Sequence, residues 1–228
     1  MSDTNPAVRI VVRIVLIVLV AVGYQSYKSG SLGKAFSPKT TTQAGGGEIA
    51  GVSFPALKAP LRFIGGGTRT KYGIAQIYAA ALYVNPKVLQ KNRASNDNNM
   101  LAAVIADASS TKTITLHFLR DVDAQKVQES LQQELSKRLS KPRMEAFVDK
   151  LHQVLPPDRV TKGSEITMTC SNGNKKLTFA SAGKTAVLAN DKEACPALWD
   201  VYIGKEAVSK DIRDGFQKGA TAVLAEES

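Results

Sequence analysis

The chain has 228 residues, 43% of them hydrophobic, and carries 30 Lys and Arg against 20 Asp and Glu, a formal net charge of +10. One domain of roughly 180 residues behind a short leader fits this length better than two domains, and it buries a sufficient core without metal or disulfide support. Residues 1–44 supply +4 of the excess, the rest is scattered over expected helix faces, and the basic residues do not alternate with aromatic ones, so a nucleic-acid platform is not expected.

The chain opens with an uninterrupted apolar run, Ile14 to Val22, preceded by Arg9 and Arg13. Such a run is too short to cross a bilayer core, which takes about 20 helical residues. Two readings of residues 1–25 stay open: a signal peptide, with small-residue sites at Ala21-Val22-Gly23 or Gly33-Lys34-Ala35, and an uncleaved anchor whose arginines reach the headgroups. Residues 26–46 hold Lys, Ser, Thr and Gly with no acidic residue, and read as a flexible linker or transit-type extension. Within them GKAFSP resembles the Ala-Phe junction of bipartite plastid leaders. The expectation is membrane association or delivery along a secretory route to a plastid, with a mitochondrion as the alternative.

From residue 47 to 228 the punctuation is that of one α+β domain. EIAGVSF, LRFIGGG and AQIYAAALYV read as strands parted by Pro and Gly. In KTITLHFL, Ile114, Leu116 and Phe118 alternate with Thr113, Thr115 and His117, a period of two that predicts a strand with one apolar face. Val127, Leu131, Leu135 and Leu139 then recur every four residues, with Asp121 or Asp123 as the N-cap of a helix. A second helix runs through Met144, Phe147, Leu151 and Val154, with Pro142 in its first turn and Pro156-Pro157 stopping it. SEITMTC, KKLTFAS and KTAVLAN read as three strands joined through Asn172-Gly173 and Ala182-Gly183. Two helices, near 195–203 and 208–221, close the chain. Strands adjacent in sequence favour an antiparallel sheet with helices packed on one face.

Little catalytic apparatus is visible. Cys170 and Cys195 belong to no CxxC or Cys/His set, and they pair only if the fold brings them together. Otherwise they are small buried apolar residues. His117 and His152 stand alone. No metal site and no cofactor are expected. GGGTR lacks the spacing of a phosphate loop.

Two segments at opposite ends of the domain carry a family resemblance. GVSFPALKAPLRFIGGGTRTKYGIAQIYAAALYV resembles the opening of chalcone-isomerase-like proteins: a Phe-containing strand, a Gly-rich turn ending in Arg, and a strand holding Tyr. ALWDVYIGKEAVS, Ala197–Ser209, resembles that family's closing segment. The resemblance implies an open-faced β-sandwich and a cleft between sheet and helices. It places the family's active-site arginine at Arg69 and puts Tyr78 where true isomerases carry Thr. It also sets Asp123 where their catalytic Tyr belongs, Ser130 at an Asn position, and Val201 where a Thr or Ser hydroxyl is expected.

These departures point away from chalcone cyclisation, in which hydrogen-bond donors stabilise a developing enolate. Asp123 adds negative charge where electron density must gather, and Val201 donates nothing. Arg69 and Tyr78 instead suit a carboxylate: a bidentate guanidinium and a phenol at the inner end of an apolar cleft, with Ala79, Ala80 and Ala81 leaving space for an acyl chain. The expected ligand is a fatty acid or similar amphiphilic carboxylate, held by Arg69, Tyr78, Asp123, Ser130 and Val201. The alternative is an intramolecular lyase of altered chemistry, with Asp123 as a base whose pKa burial raises.

Overall fold

The computed structural model of the chain describes residues 46–94 and 96–226. The leader (1–25) and the linker (26–46, but for its last residue) lie outside the described residues. No helix of the described residues is long and apolar enough to cross a membrane.

Six strands form one antiparallel sheet. They are β3 (Arg62–Lys71), β4 (Ala75–Val84), β5 (Lys112–Phe118), β8 (Glu165–Ser171), β9 (Lys176–Ser181) and β10 (Lys184–Ala189), in the spatial order β10-β9-β8-β5-β4-β3. The segment EIAGVSF is two strands rather than one. Ala50 and Gly51, at φ 52° and 77°, turn the chain so that β1 (Gly47–Ile49) pairs back on β2 (Val52–Phe54). Ala182 and Gly183 make the same kind of two-residue turn, at φ 48° and 77°, between β9 and β10.

Helices cover one face of the sheet, as the strand order predicts. α1 (Pro86–Lys91) and α2 (Asp97–Ala106) link β4 to β5. α3 (Ala124–Leu135) and α4 (Lys141–Val154) lie between the two-residue strands β6 (Val122–Asp123) and β7 (Arg159–Val160), which pair with each other. α5 (Ala194–Ile203) and α6 (Lys210–Glu226) end the chain. α1 and α2 escape the periodicity reading because α2 is apolar almost all round, so no polar face marks it. Both are capped by asparagine: Asn85, ahead of Pro86, accepts from Lys87 N, and Asn96 accepts from Asn99 N.

The main core lies between the sheet and the helices, where Leu82, Ile114, Leu116, Phe147, Trp199 and Phe216 meet. Trp199 of α5 packs edge-on to Phe216 of α6. The opposite face of the sheet is not bare. The β1–β2 hairpin seals Ala79, Ala81, Tyr83 and Phe63 beneath Ile49 and Phe54. This cover changes the reading of β5, whose threonine face is buried as well as its apolar one. Thr113 and Thr115 satisfy their hydroxyls against Thr169 and Thr167 of β8, at 3.1 and 3.2 Å. His117 shares that face and meets the Phe54 ring edge-on.

Two further ties fix the helices. Cys170 of β8 and Cys195 of α5 are brought together, Cα to Cα 5.7 Å, and form a disulfide. Lys112, wholly buried at the start of β5, donates to the carbonyls of Val104, Ile105 and Asp107 and so closes the C-terminal end of α2. Burial lowers the Lys112 ammonium to about 8, against the opposing pull of Asp107.

Candidate ligand-binding site

The glycine run is not a turn. Gly65, Gly66 and Gly67 sit inside β3, whose strand continues to Lys71. Their function is close approach. A Cβ on Gly65 would strike the carbonyl oxygen of Gly215 in α6, and one on Gly67 would strike Asp211. Reciprocally, a Cβ on Gly215 or Gly219 would strike the carbonyl oxygens of Gly66 or Ile64. Helix and edge strand thus meet backbone to backbone, which brings the first turn of α6 against the residue before Arg69. Thr68 donates to Asp211 Oδ2 through its amide at 2.6 Å and its hydroxyl at 2.8 Å, and Ser209 Oγ donates to the Thr68 carbonyl at 2.7 Å. The two segments that carry the family resemblance, far apart in sequence, are therefore clamped together at Thr68.

That clamp sets Arg69. In the β3–β4 register Arg69 lies opposite Tyr78, and in the β4–β5 register Tyr78 lies opposite Phe118. Directly paired residues point to the same face, so the three form a row across three strands toward the helices. β4 carries one extra residue just beyond this row: Arg69 pairs with Tyr78 but Thr70 with Gln76, leaving Ile77 as a bulge. The bulge lets Ile77 and Tyr78 both line the same cavity.

The cavity has a volume of about 420 Å³. Arg69, Tyr78 and Tyr202 line it, and its walls are Ile77, Leu116 and Phe118 from the sheet with Val127 and Leu131 from α3. The size falls within the roughly 300–1,000 Å³ of small-molecule sites, and an apolar wall with a few convergent polar groups is their usual composition. Burial opposes the charge on Arg69. Tyr78, through charge and a side-chain hydrogen bond, outweighs it together with Tyr202 and Glu134, so the guanidinium titrates above the ordinary arginine value. Burial, first of all, lifts the Tyr202 phenol well above the ordinary tyrosine value, with Tyr78 adding to it and Arg69 opposing. Arg69, Tyr78 and Tyr202 thus form one polar cluster in an apolar cleft. Among the described residues no carboxylate lies within ion-pair distance of Arg69.

The five residues named from sequence do not all meet. Arg69, Tyr78, Asp123 and Ser130 line the cavity. Val201 does not: it is buried in the main core, and the next residue, Tyr202, turns into the cleft instead. Successive helical side chains diverge by about 100°, so one residue decides which reaches the site. A phenol at 202, and not the side chain at 201, therefore lines the cleft. Tyr202 was visible inside ALWDVYIG, but nothing local marked its orientation. The three alanines are also placed differently. Ala79 and Ala81 face the hairpin, and only Ala80 faces the helices, so they do not make the space in the cleft. Asp123 is exposed, and its Oδ1 accepts from Gln125 N at 2.9 Å and Lys126 N at 3.3 Å as the N-cap of α3. A base with a burial-raised pKa requires a desolvated carboxylate, and this one is solvated and engaged.

Among the described residues, an antiparallel sheet backed by helices, with a guanidinium and two phenols in one largely apolar cleft, defines an α+β fold of open-faced β-sandwich type. A family model described as chalcone isomerase-like matches residues 46–216, and the chain belongs to that family. The crystal structure of a fatty-acid binding protein of Arabidopsis thaliana superposes with a TM-score of 0.64 at 21% identity, covering 77% of this chain and 96% of that one. A comparison with curated proteins gave no significant match.

Proposed function

We propose that the protein binds a fatty acid or a similar apolar carboxylate in this cleft, without changing it covalently. The observation that carries the reading is the half-buried Arg69 guanidinium, set opposite Tyr78 in the strand register and beside Tyr202, in a cleft walled by Ile77, Leu116, Phe118, Val127 and Leu131. Taking a guanidinium out of water is costly unless an anion meets it, and no described carboxylate does so. An acyl carboxylate supplies the charge while its chain takes the apolar wall. The likeness in fold to a protein named as fatty-acid binding supports the same reading.

The rival reading, an intramolecular lyase acting through Asp123, loses its base to helix capping and solvent. Delivery to a membrane-bounded compartment by residues 1–25 is part of the proposal.

The test is mass spectrometry of lipid extracted from the purified chain, with and without Arg69→Ala. Hydrogen bonds to charged groups are worth about 1.5–3 kcal/mol, so the substitution should weaken fatty-acid binding roughly 10- to 100-fold and empty the purified protein. Wild-type protein that retains no carboxylate, or undiminished retention by Arg69→Ala, would sink the proposal.

A further inference from the structure

We propose that the tip of the β3–β4 hairpin docks the mouth of the cleft onto a lipid bilayer carrying anionic headgroups. Three large hydrophobic side chains are exposed among the described residues, and they are not spread evenly. Tyr72 is 85% exposed and Ile74 89%, two positions apart on one three-residue loop, whereas Val187, at 39%, lies on β10 at the far edge of the sheet. A single exposed apolar residue needs no explanation, but a bare aromatic and a bare isoleucine on one protruding tip do. Tyr72 also holds φ 56°, a conformation that Gly or Asn adopts with less strain than an aromatic residue. Tyr72 and the neighbouring Lys71 form part of the cavity lining, so the tip is one lip of the mouth.

The charge around that mouth selects the partner. Lys71, Arg120 and Lys126 line it and are exposed, and none of them is in an ion pair among the described residues. The two acids on the same rim are engaged within the fold. Asp123 caps α3, and Asp121 accepts from Lys162 N at 2.9 Å and stands 3.7 Å from Arg159. A lip that presents a tyrosine, an isoleucine and unpaired cations matches the headgroup zone of an anionic leaflet, where amphipathic rings insert and Lys and Arg meet lipid phosphate. An acyl ligand leaving the cleft through this mouth passes directly into the membrane and never crosses bulk water. The purpose of the docking rests on the carboxylate reading above. The docking itself does not.

Ile74→Cys in the full chain, labelled with an environment-sensitive fluorophore, reads the contact. Both native cysteines are bonded to each other and leave the new thiol as the target. Val187→Cys, labelled identically, is the control for adsorption through any other part of the chain. Vesicles of phosphatidylcholine with added phosphatidylglycerol should blue-shift the label at 74 and leave that at 187 unmoved. Salt should reverse the shift, and combining Lys71→Glu, Arg120→Glu and Lys126→Glu should abolish it. No shift at 74, an equal shift at 187, or an equal shift on vesicles of phosphatidylcholine alone would each overturn the docking. Extracted fatty acid, measured on the same preparations, reports separately on the cleft, so an empty cleft and an undocked tip are distinguishable results.

Discussion

Arg69 and the two tyrosines beside it define the chemistry of the cleft, and their protonation states predict how binding depends on pH. Arg69 titrates above the ordinary arginine value and Tyr202 well above the ordinary tyrosine value, so both keep their protons across the neutral range. The group that changes is the ligand's own carboxyl, which titrates at about 4–5 like a glutamate. Fatty-acid binding should therefore be flat from about pH 6 to 9 and fall below about pH 5, because protonation removes the charge that Arg69 meets. Titrating a fluorescent fatty acid into the chain across this range checks it. A midpoint between pH 7 and 9 would assign the anchor to another group. Tyr202→Phe keeps the packing and deletes one hydroxyl, so it should weaken binding by roughly 3- to 10-fold, less than Arg69→Ala.

Between elements, the decisive contact is α6 on β3. Gly215 and Gly219 of the helix meet the carbonyls of Gly66 and Ile64, and Asp211 and Ser209 grip Thr68 at the top of the same contact. Alanine is favoured over glycine in a helix by about 1 kcal/mol, so on propensity alone Gly215→Ala would stabilise the protein. The backbone contact predicts the reverse, a loss of about 1–3 kcal/mol as the helix is forced off the strand. Urea unfolding of the variant decides between them, and a gain in stability would show that the helix has room to spare. Retention of fatty acid should fall with it, since the displaced helix no longer fixes Thr68 and Arg69.

At the scale of the whole molecule, the Cys170–Cys195 bond ties the helix that carries Tyr202 to the centre of the sheet. It closes a loop of 25 residues, and in the chain-entropy model such a cross-link stabilises by about 3.5 kcal/mol. Reduction, or Cys170→Ala with Cys195→Ala, should lower the unfolding free energy by that order, read as a fall in the denaturant midpoint with the slope unchanged. An unaltered midpoint would mean that the two sulfurs act only as core atoms.

Sequence alone determined the elements whose signals are local. The period of two in β5, the four-residue spacing of α3 with an aspartate (Asp121 or Asp123) to cap it, and the Ala182-Gly183 turn are each fixed by neighbours a few residues away, and the structure chose Asp123 as the cap. The antiparallel sheet with helices on one face, and Arg69 with Tyr78 as a pair, followed from such signals together with two motifs read in order. Only the tertiary structure decided which side of each element faces the cleft. It turned Tyr202 inward in place of Val201, carried the strand read in LRFIGGG on through Arg69 in place of the Gly-rich turn that the family resemblance implied, and directed Ala79 and Ala81 to the hairpin. Each of these depends on a partner distant in the chain: α6 against the glycines, the β1–β2 hairpin against the alanines, and the disulfide on α5. A single step along a helix or strand redirects a side chain by about 100° or 180°, and no local pattern carries that information when every face of the element is buried.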